Sequence, residues 1–295
     1  MQPSMWSSYL IEWQPDDMVR ELSRHGWHAC ELSDEHGHDL LKQGDPAKVG
    51  ARFRAFAADH GLRFPQGHFY LCTKGFRPED MAGRKVADIA PADDAAFAEA
   101  MADMRRWVDL FNALGVEAGV LHLGGGGLAK AGWSPARIFA RRCEALSAIA
   151  EYARGTVTTI CLENLGAGSG VQTIDDFEPL LKAVNAPNVA ICLDTGHANI
   201  NGVDSAAFVR RAGARLKALH IADNLGQHDD HMLPYGRGTV RWTEVMKALR
   251  EVGYRGLFNF EVPGENRCPP PVRLAKLDYA LALANYMIAH DGLPQ

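Results

Sequence analysis

The sequence predicts an α/β protein built as a single (β/α)8 barrel, the TIM-barrel architecture. Eight short apolar runs alternate with eight amphipathic segments along the 295 residues, an order typical of parallel strands joined by crossover helices. Eight such units in a chain of this length favour closure into a barrel over an open sheet. Since no linker, low-complexity stretch or shift in composition divides the chain, residues 1–295 are predicted to form one domain.

The alternating segments define the predicted elements. The strands are predicted at 8–11, 29–32, 66–71, 116–123, 158–162, 189–193, 216–221 and 256–262. The helices are predicted at 16–25, 47–60, 93–114, 134–154, 173–184, 205–216, 242–252 and 272–290. Several helices carry clear boundary signals. Ser134 and Pro135 supply an N-cap and a first-turn proline, and Gly115 ends the helix before it.

The last four predicted strands alternate between large apolar residues and residues that are mostly smaller or polar. Because successive side chains of a strand point to opposite faces, the large set is predicted to face the helices and the other set the barrel axis. The inward set comprises Thr159, Cys161, Glu163, Ala190, Cys192, Asp194, Ala218, His220, Ala222, Leu257, Asn259 and Glu261. Three acids and one histidine therefore share the inward parity, and each acid stands at the end of its run.

These four residues predict a metal site. Unpaired carboxylates are very costly to bury, so Glu163, Asp194, His220 and Glu261 would be unstable together at one mouth of a barrel without a cation. A mixed oxygen and nitrogen donor set suits a divalent metal ion, with Mn²⁺ favoured over Co²⁺, Mg²⁺ or Zn²⁺. The lack of thiolate ligands argues against a closed structural zinc site. The alternative is that each acid pairs with a nearby Lys or Arg.

The segments that contain these residues resemble the xylose-isomerase-like TIM-barrel superfamily, also described as AP endonuclease family 2. They read CLEN at 161–164, LDTGH at 193–197, LHIADN at 219–224 and FEV at 260–262. The superfamily contains sugar and sugar-phosphate isomerases and epimerases, inosose dehydratases and AP endonucleases of the endonuclease IV type. The motifs are specific for the superfamily, and none is specific for a substrate.

The resemblance implies roles for individual residues. Glu163, Asp194, His220 and Glu261 match the shared metal ligands, and the two glutamates match the acid and base of the ketose epimerases. His197 matches a histidine that binds substrate in the epimerases and a further metal in the nuclease. The wider set implied for substrate or for additional metal ions comprises His68, His122, His197, Asp229 and His231.

The loop after the seventh strand is predicted to form a lid over the substrate. Successive ligands are separated by 31 residues (163 to 194) and 26 (194 to 220), but by 41 from 220 to 261. The additional residues follow the seventh predicted strand directly, on the face where barrel enzymes build their sites. Long loops on this face commonly close over the site and exclude water. Within 224–237, His231 and Arg237 are predicted to meet substrate oxygens. The alternative is a surface excursion in which Asp229 and His231 only pair with each other.

The predicted function is that of a metal-dependent isomerase or epimerase of a keto-sugar, sugar phosphate or related polyol. The alternatives are a lyase or dehydratase acting on a keto-sugar or inosose, an endonuclease IV-like AP endonuclease, and a non-catalytic metal-binding barrel. A formal net charge of −5 and a pI near 6.2 argue against a nucleic-acid partner, since duplex binding usually needs a positive surface.

The cellular setting is predicted to be the cytoplasm. The N-terminus shows no signal peptide, no apolar stretch is long enough to span a membrane, and the six cysteines are widely spaced, as expected for reduced thiols. The expected partner is a small sugar or polyol, and a homo-oligomer is compatible with the sequence.

Overall fold

The computed structural model describes residues 1–168, 171–264 and 267–290 and confirms a single (β/α)8 TIM barrel. The strands are β1 (Gln2–Trp6), β2 (Ala29–Leu32), β3 (Arg63–His68), β4 (Ala118–Leu121), β5 (Thr159–Glu163), β6 (Val189–Asp194), β7 (Leu216–His220) and β8 (Leu257–Phe260). All are parallel and pair in chain order, and β1 also pairs with β8. The Ile221 amide donates to the Asn259 carbonyl at 2.8 Å, which closes the barrel between β7 and β8.

The helices surround this sheet, and in the described part of the chain they number ten. They are α1 (Pro15–Arg24), α2 (Asp34–Leu41), α3 (Pro46–Asp59), α4 (Asp94–Leu114), α5 (Pro135–Tyr152), α6 (Ile174–Val184), α7 (Thr195–Ile200), α8 (Ser205–Ala212), α9 (Trp242–Glu251) and α10 (Pro270–Ala289). Eight correspond to predicted helices. The Ser134 hydroxyl caps α5 by accepting from the Arg137 amide, and Gly115 ends α4 with a left-handed φ of 86°, a conformation that favours glycine. The short helices α2 and α7 were not predicted.

The first predicted strand is wrong. Residues Ser7–Leu10 form a 3₁₀ helix, and the strand is Gln2–Trp6. Pro3 hides this strand because a proline lacks the N–H that a central strand uses. Here Pro3 precedes Met5, the first residue of β1 that pairs with β2.

Strand β3 lies three residues earlier than the predicted run 66–71. The amides of Leu71 and Cys72 leave the sheet and donate to Asp34 Oδ2 at 3.0 and 3.3 Å. Residues 71 and 72 therefore bind Asp34, in the first turn of α2, and do not continue the ladder of β3.

The barrel interior is filled by small side chains, as the alternation predicts. Ala118, Val120, Cys161, Ala190, Cys192 and Ala218 form a buried cluster of their own. The large alternate residues of the same strands, such as Leu162 and Leu193, belong to the main core. Small apolar side chains thus fill the middle of the barrel, and longer polar side chains converge at the carboxyl ends of the strands. No helix of the described residues is long and apolar enough to cross a membrane.

Candidate metal centre

The four predicted ligands come together where four neighbouring strands end. Glu163, Asp194 and His220 are the last residues of β5, β6 and β7, and Glu261 directly follows β8. One possible ligand atom from each lies within 4.8 Å of those of the others. All four residues are at most 5% exposed. We call this group the four-residue cluster.

The ring of His220 is oriented with one nitrogen toward the centre of the cluster. Its Nδ1 lies 3.0 Å from Glu163 Oε1, 3.4 Å from Glu261 Oε2 and 4.0 Å from Asp194 Oδ2. Its Nε2 points away, 2.9 Å from Glu31 Oε1. One nitrogen thus faces all three acids, as a metal ligand in this cluster must.

The hydrogen bonding of two carboxylate oxygens in the cluster indicates whether a cation fits there. Asp194 Oδ1 accepts from the His197 amide at 2.6 Å and caps α7, whereas Asp194 Oδ2 is buried without a hydrogen-bond partner among the described residues. The same holds for Glu261 Oε2. Buried polar atoms without partners are costly, and carboxylate oxygens with an imidazole are ligands that divalent metals accept. The residues therefore fit a divalent cation.

A second group of possible ligands shares Glu163 with the first. His68, His122 and Glu163 also bring one ligand atom each to within 4.8 Å. The Nε2 atoms of His68 and His122 lie 3.3 and 3.0 Å from Glu163 Oε2, whereas Glu163 Oε1 faces His220. Glu163 thus stands between the two groups, with one oxygen directed to each.

The remaining predicted residues, apart from Arg237, form the outer rim of the centre. Asp229 Oδ2 lies 3.1 Å from His197 Nε2 and 3.0 Å from His231 Nε2. His231 Nδ1 donates to the backbone carbonyl of Glu261 at 2.8 Å. Arg237 is exposed, and within the described part of the chain it forms no hydrogen bond or ion pair with this group.

The charges at the centre move pKa values in opposite directions. Burial raises the pKa of Glu261 to about 8, and the neighbouring Glu163 and Asp194 add to the rise although His220 opposes it. For Glu163, burial is outweighed by His220 and His122, which hold its pKa well below the usual value. For His231, burial is outweighed by Asp229 and Glu261, and the pKa rises to about 10. The raised pKa values of Glu261 and His231 show that the carboxylates around them favour a positive charge or a proton at these two positions.

One buried acid beside the cluster has a role that sequence reasoning did not resolve. Glu31 is the third of the four residues of β2 and was not among the predicted site residues. It is fully buried, and residues 34–41 that follow form helix α2. The available signal was parity, since Glu31 alternates with Cys30 and Leu32, which pack in the main core.

Most of the chain is similar to the members of one known protein family. Residues 19–283 match the model of a family described as xylose isomerase-like TIM barrel. The chain belongs to this family. The predicted resemblance is therefore confirmed for most of the chain, and not only for the four motifs around the ligands.

Relatives in the xylose isomerase-like family include sugar-converting enzymes. An L-ribulose 3-epimerase from Methylomonas sp. (strain DH-1) is 30% identical over 244 residues, which are 76% of this chain and 82% of that protein. An inosose dehydratase from Lacticaseibacillus casei is 27% identical over 145 residues, which are 43% and 47% of the two chains. Several curated relatives are matched over only 27% to 47% of their length.

A solved structure supports the fold over nearly the whole chain. The D-psicose 3-epimerase from Clostridium cellulolyticum H10, crystallised with D-tagatose, superposes with a TM-score of 0.78 and covers 98% of this chain and 99% of its own. Its sequence is 18% identical, so this likeness concerns the fold alone.

Proposed function

We propose that this member of the xylose isomerase-like family is a divalent-metal-dependent epimerase or isomerase of a keto-sugar. The proposal rests on the four-residue cluster, in which two buried carboxylate oxygens have no hydrogen-bond partner within the described parts of the chain. The names of relatives that convert ketoses support the substrate class.

The cluster supplies both the ion-binding and the proton-transfer groups. Glu163, Asp194, His220 and Glu261 would hold the cation, with Mn²⁺ favoured and Co²⁺, Mg²⁺ and Zn²⁺ also compatible with the donors. When bound, a divalent cation polarises a sugar carbonyl and stabilises the negative charge that develops as the neighbouring C–H bond breaks.

The two glutamates then divide the proton transfer. Glu163 or Glu261 takes the proton from the carbon between the carbonyl and the adjacent hydroxyl. If the other glutamate returns a proton from the opposite side, the centre is inverted and the product is an epimer. If the carbon that loses the proton is instead C1 of the ketose, and the same glutamate returns the proton to C2 while the C1 hydroxyl loses its proton and becomes the carbonyl, the product is an aldose. Carboxylates from opposite sides of the cluster, at the end of β5 and just after β8, suit transfer to two faces.

Elimination is the candidate reaction closest in chemistry. Loss of a hydroxyl group β to the deprotonated carbon would make the same site a dehydratase, and an inosose dehydratase is among the relatives. The two reactions share the first proton transfer, so only the product distinguishes them.

The histidines around Glu163 favour one further candidate. All nine residues that match the nuclease site lie at this end of the barrel: His68, His122, Glu163, Asp194, His197, His220, Asp229, His231 and Glu261. More than one cation can be accommodated by such a set, as phosphoester hydrolysis often requires. The net charge of −5 opposes a duplex partner, and we therefore favour the small-molecule substrate.

Deuterium incorporation tests the proposed reaction directly. The Mn²⁺-loaded protein is incubated with L-ribulose, D-psicose, D-tagatose and D-fructose in D₂O, and the products are identified by NMR. We expect at least one ketose to give its epimer with deuterium at the inverted carbon, because the returned proton comes from a glutamate that exchanges with solvent. Chelated protein is the control and is expected to produce none.

Each competing function gives a different product. An aldose indicates isomerisation, loss of water from an inosose indicates a dehydratase, and cleavage of a duplex with an abasic site indicates the nuclease. Metal binding without turnover of any of these substrates would support the non-catalytic barrel and contradict the proposal.

The loop over the centre is expected to control substrate affinity. His231 sits on the loop with a left-handed φ of 46° and is held between Asp229 and the Glu261 carbonyl, so it borders the cluster. Replacement of His231 or Arg237 by Ala is expected to raise KM about tenfold, the effect of losing one hydrogen bond to substrate. Steady-state kinetics and metal content are measured on both variants.

A matched variant separates this effect from general disturbance of the loop. Arg241→Ala removes an exposed arginine that pairs with Asp204, and its KM is expected to stay unchanged. Unchanged kinetics in both His231→Ala and Arg237→Ala would contradict the lid. Loss of a second metal ion from His231→Ala would instead favour the nuclease-like site.

A further inference from the structure

A buried hydrogen-bond network joins the candidate ligand His220 to residues of the first, second and last strands of the barrel. His220 Nε2 lies 2.9 Å from Glu31 Oε1, and the Asn259 amide group donates to Glu31 Oε2. The Ser4 hydroxyl donates in turn to Asn259 Oδ1 at 2.8 Å. These residues belong to β7, β2, β8 and β1, and each is 0% exposed. The network thus spans the side of the barrel where the first and last strands meet.

We infer that Glu31 is a positioning residue that orients His220 for metal binding. A carboxylate accepts hydrogen bonds and does not donate them, so Nε2 of His220 must be the donor in this pair. The lone pair of a neutral His220 is then on Nδ1, the atom that faces Glu163, Glu261 and Asp194. This inference rests on the proposed metal centre.

Glu31 differs from the candidate ligands in how its oxygens are used. One oxygen faces His220 and the other accepts from Asn259, so both have partners. Asp194 and Glu261 each keep one buried oxygen without a partner among the described residues. Glu31 is therefore arranged to hold the candidate ligand His220 in place and not to bind the metal itself.

The arrangement has a known physical consequence. A metal-bound histidine commonly donates its second N–H to a carboxylate, which fixes the tautomer and the ring plane and makes the ligating nitrogen more basic. Asn259 in turn holds the carboxylate of Glu31 in place by donating to Oε2, and the hydroxyl of Ser4 holds Asn259 by donating to its Oδ1. Disturbing Glu31 should weaken metal binding even though Glu31 does not touch the metal.

Two substitutions separate positioning from charge. Glu31→Gln retains the length of the side chain but offers only one acceptor to two donors. Glu31→Asp retains the charge but is one methylene shorter, so its carboxylate withdraws from His220. Glu21→Gln is the matched control, because Glu21 is also a buried acid but lies on α1 and pairs with Arg24.

Co²⁺ binding is measured by competition with a chelating dye, and the visible spectrum of the Co²⁺ protein reports ligand geometry. We expect Glu31→Gln and Glu31→Asp to bind Co²⁺ about 10- to 100-fold more weakly than the wild type, with a changed spectrum. Glu21→Gln is expected to match the wild type in both measurements. A purely structural role for Glu31 would lower the melting temperature without changing the spectrum of the bound ion.

The outcomes distinguish this inference from the proposed function. Wild-type affinity and spectrum in Glu31→Asp would overturn the positioning role, even if Glu31→Gln does not fold. If the wild type binds no Co²⁺, both the metal centre and the role of Glu31 are refuted. If the wild type binds Co²⁺ and the Glu31 variants bind it equally well, only the role of Glu31 is refuted.

Discussion

Replacement of Glu163 or Glu261 by Gln is expected to lower kcat for ketose conversion by about 10²- to 10⁴-fold, the usual contribution of a general acid or base. This corresponds to about 3–5 kcal/mol of activation free energy. Glutamine keeps an oxygen that can bind the cation but cannot take or return a proton. The rates are measured with the ketose that the wild type converts, at saturating metal.

Metal content and a matched variant complete this experiment. Both glutamine variants should be assayed for bound metal, so that a loss of rate is not mistaken for a loss of the ion. Glu117→Gln removes an exposed acid just before β4, at the opposite end of the barrel, and its kcat should equal that of the wild type. Near-wild-type rates in both Glu163→Gln and Glu261→Gln would refute the two-glutamate mechanism.

Chelation of the metal is expected to abolish activity and to lower the melting temperature without unfolding the barrel. The fold is held by the apolar core between strands and helices, which does not depend on an ion. The four-residue cluster, however, loses its counter-charge when the ion leaves. A ligand that binds only the folded state stabilises it by mass action, so added Mn²⁺ should raise the melting temperature of the chelated protein.

Elemental analysis and thermal unfolding check this prediction together. The purified protein should contain a divalent ion, and circular dichroism of the chelated protein at 25 °C should remain that of a folded α/β protein. Absence of bound metal, combined with no thermal shift on adding Mn²⁺, Co²⁺ or Zn²⁺, would contradict the metal centre. Asp194→Ala should reproduce the effect of chelation, because it removes a ligand and leaves the core intact.

The sequence predicted the fold and the four-residue cluster because both depend on periodic patterns. Alternation of small and large residues in β5 to β8 identified the inward face, and the acids at the ends of the runs identified the end of the barrel where the four-residue cluster lies. The alternation can be detected within each strand by itself. Each strand buries one face against the small side chains on the barrel axis and the other face against the helices. The match of residues 19–283 to the family confirms the resemblance drawn from the motifs.

Elements with weak periodicity were predicted less well. Gln2–Trp6 was missed because Pro3 and the polar neighbours Gln2 and Ser4 conceal a strand whose pairing is supplied by β2 and β8. The apolar residues Tyr9 and Leu10 were assigned to a strand, but they are buried by packing in the main core. Burial alone does not distinguish a strand from a 3₁₀ turn in a run of four residues.

What the sequence by itself determined is the (β/α)8 barrel and the set of acids and histidines at the carboxyl ends of its strands, because parity and strand order are properties of the chain. Only the tertiary structure decided which side chains contact each other around Glu163, whose two carboxylate oxygens face different histidines. It likewise placed Glu31 behind His220, 189 positions away in the chain. Hydrogen bonds are directional and short, so their partners depend on atomic positions that no periodic pattern in a sequence specifies.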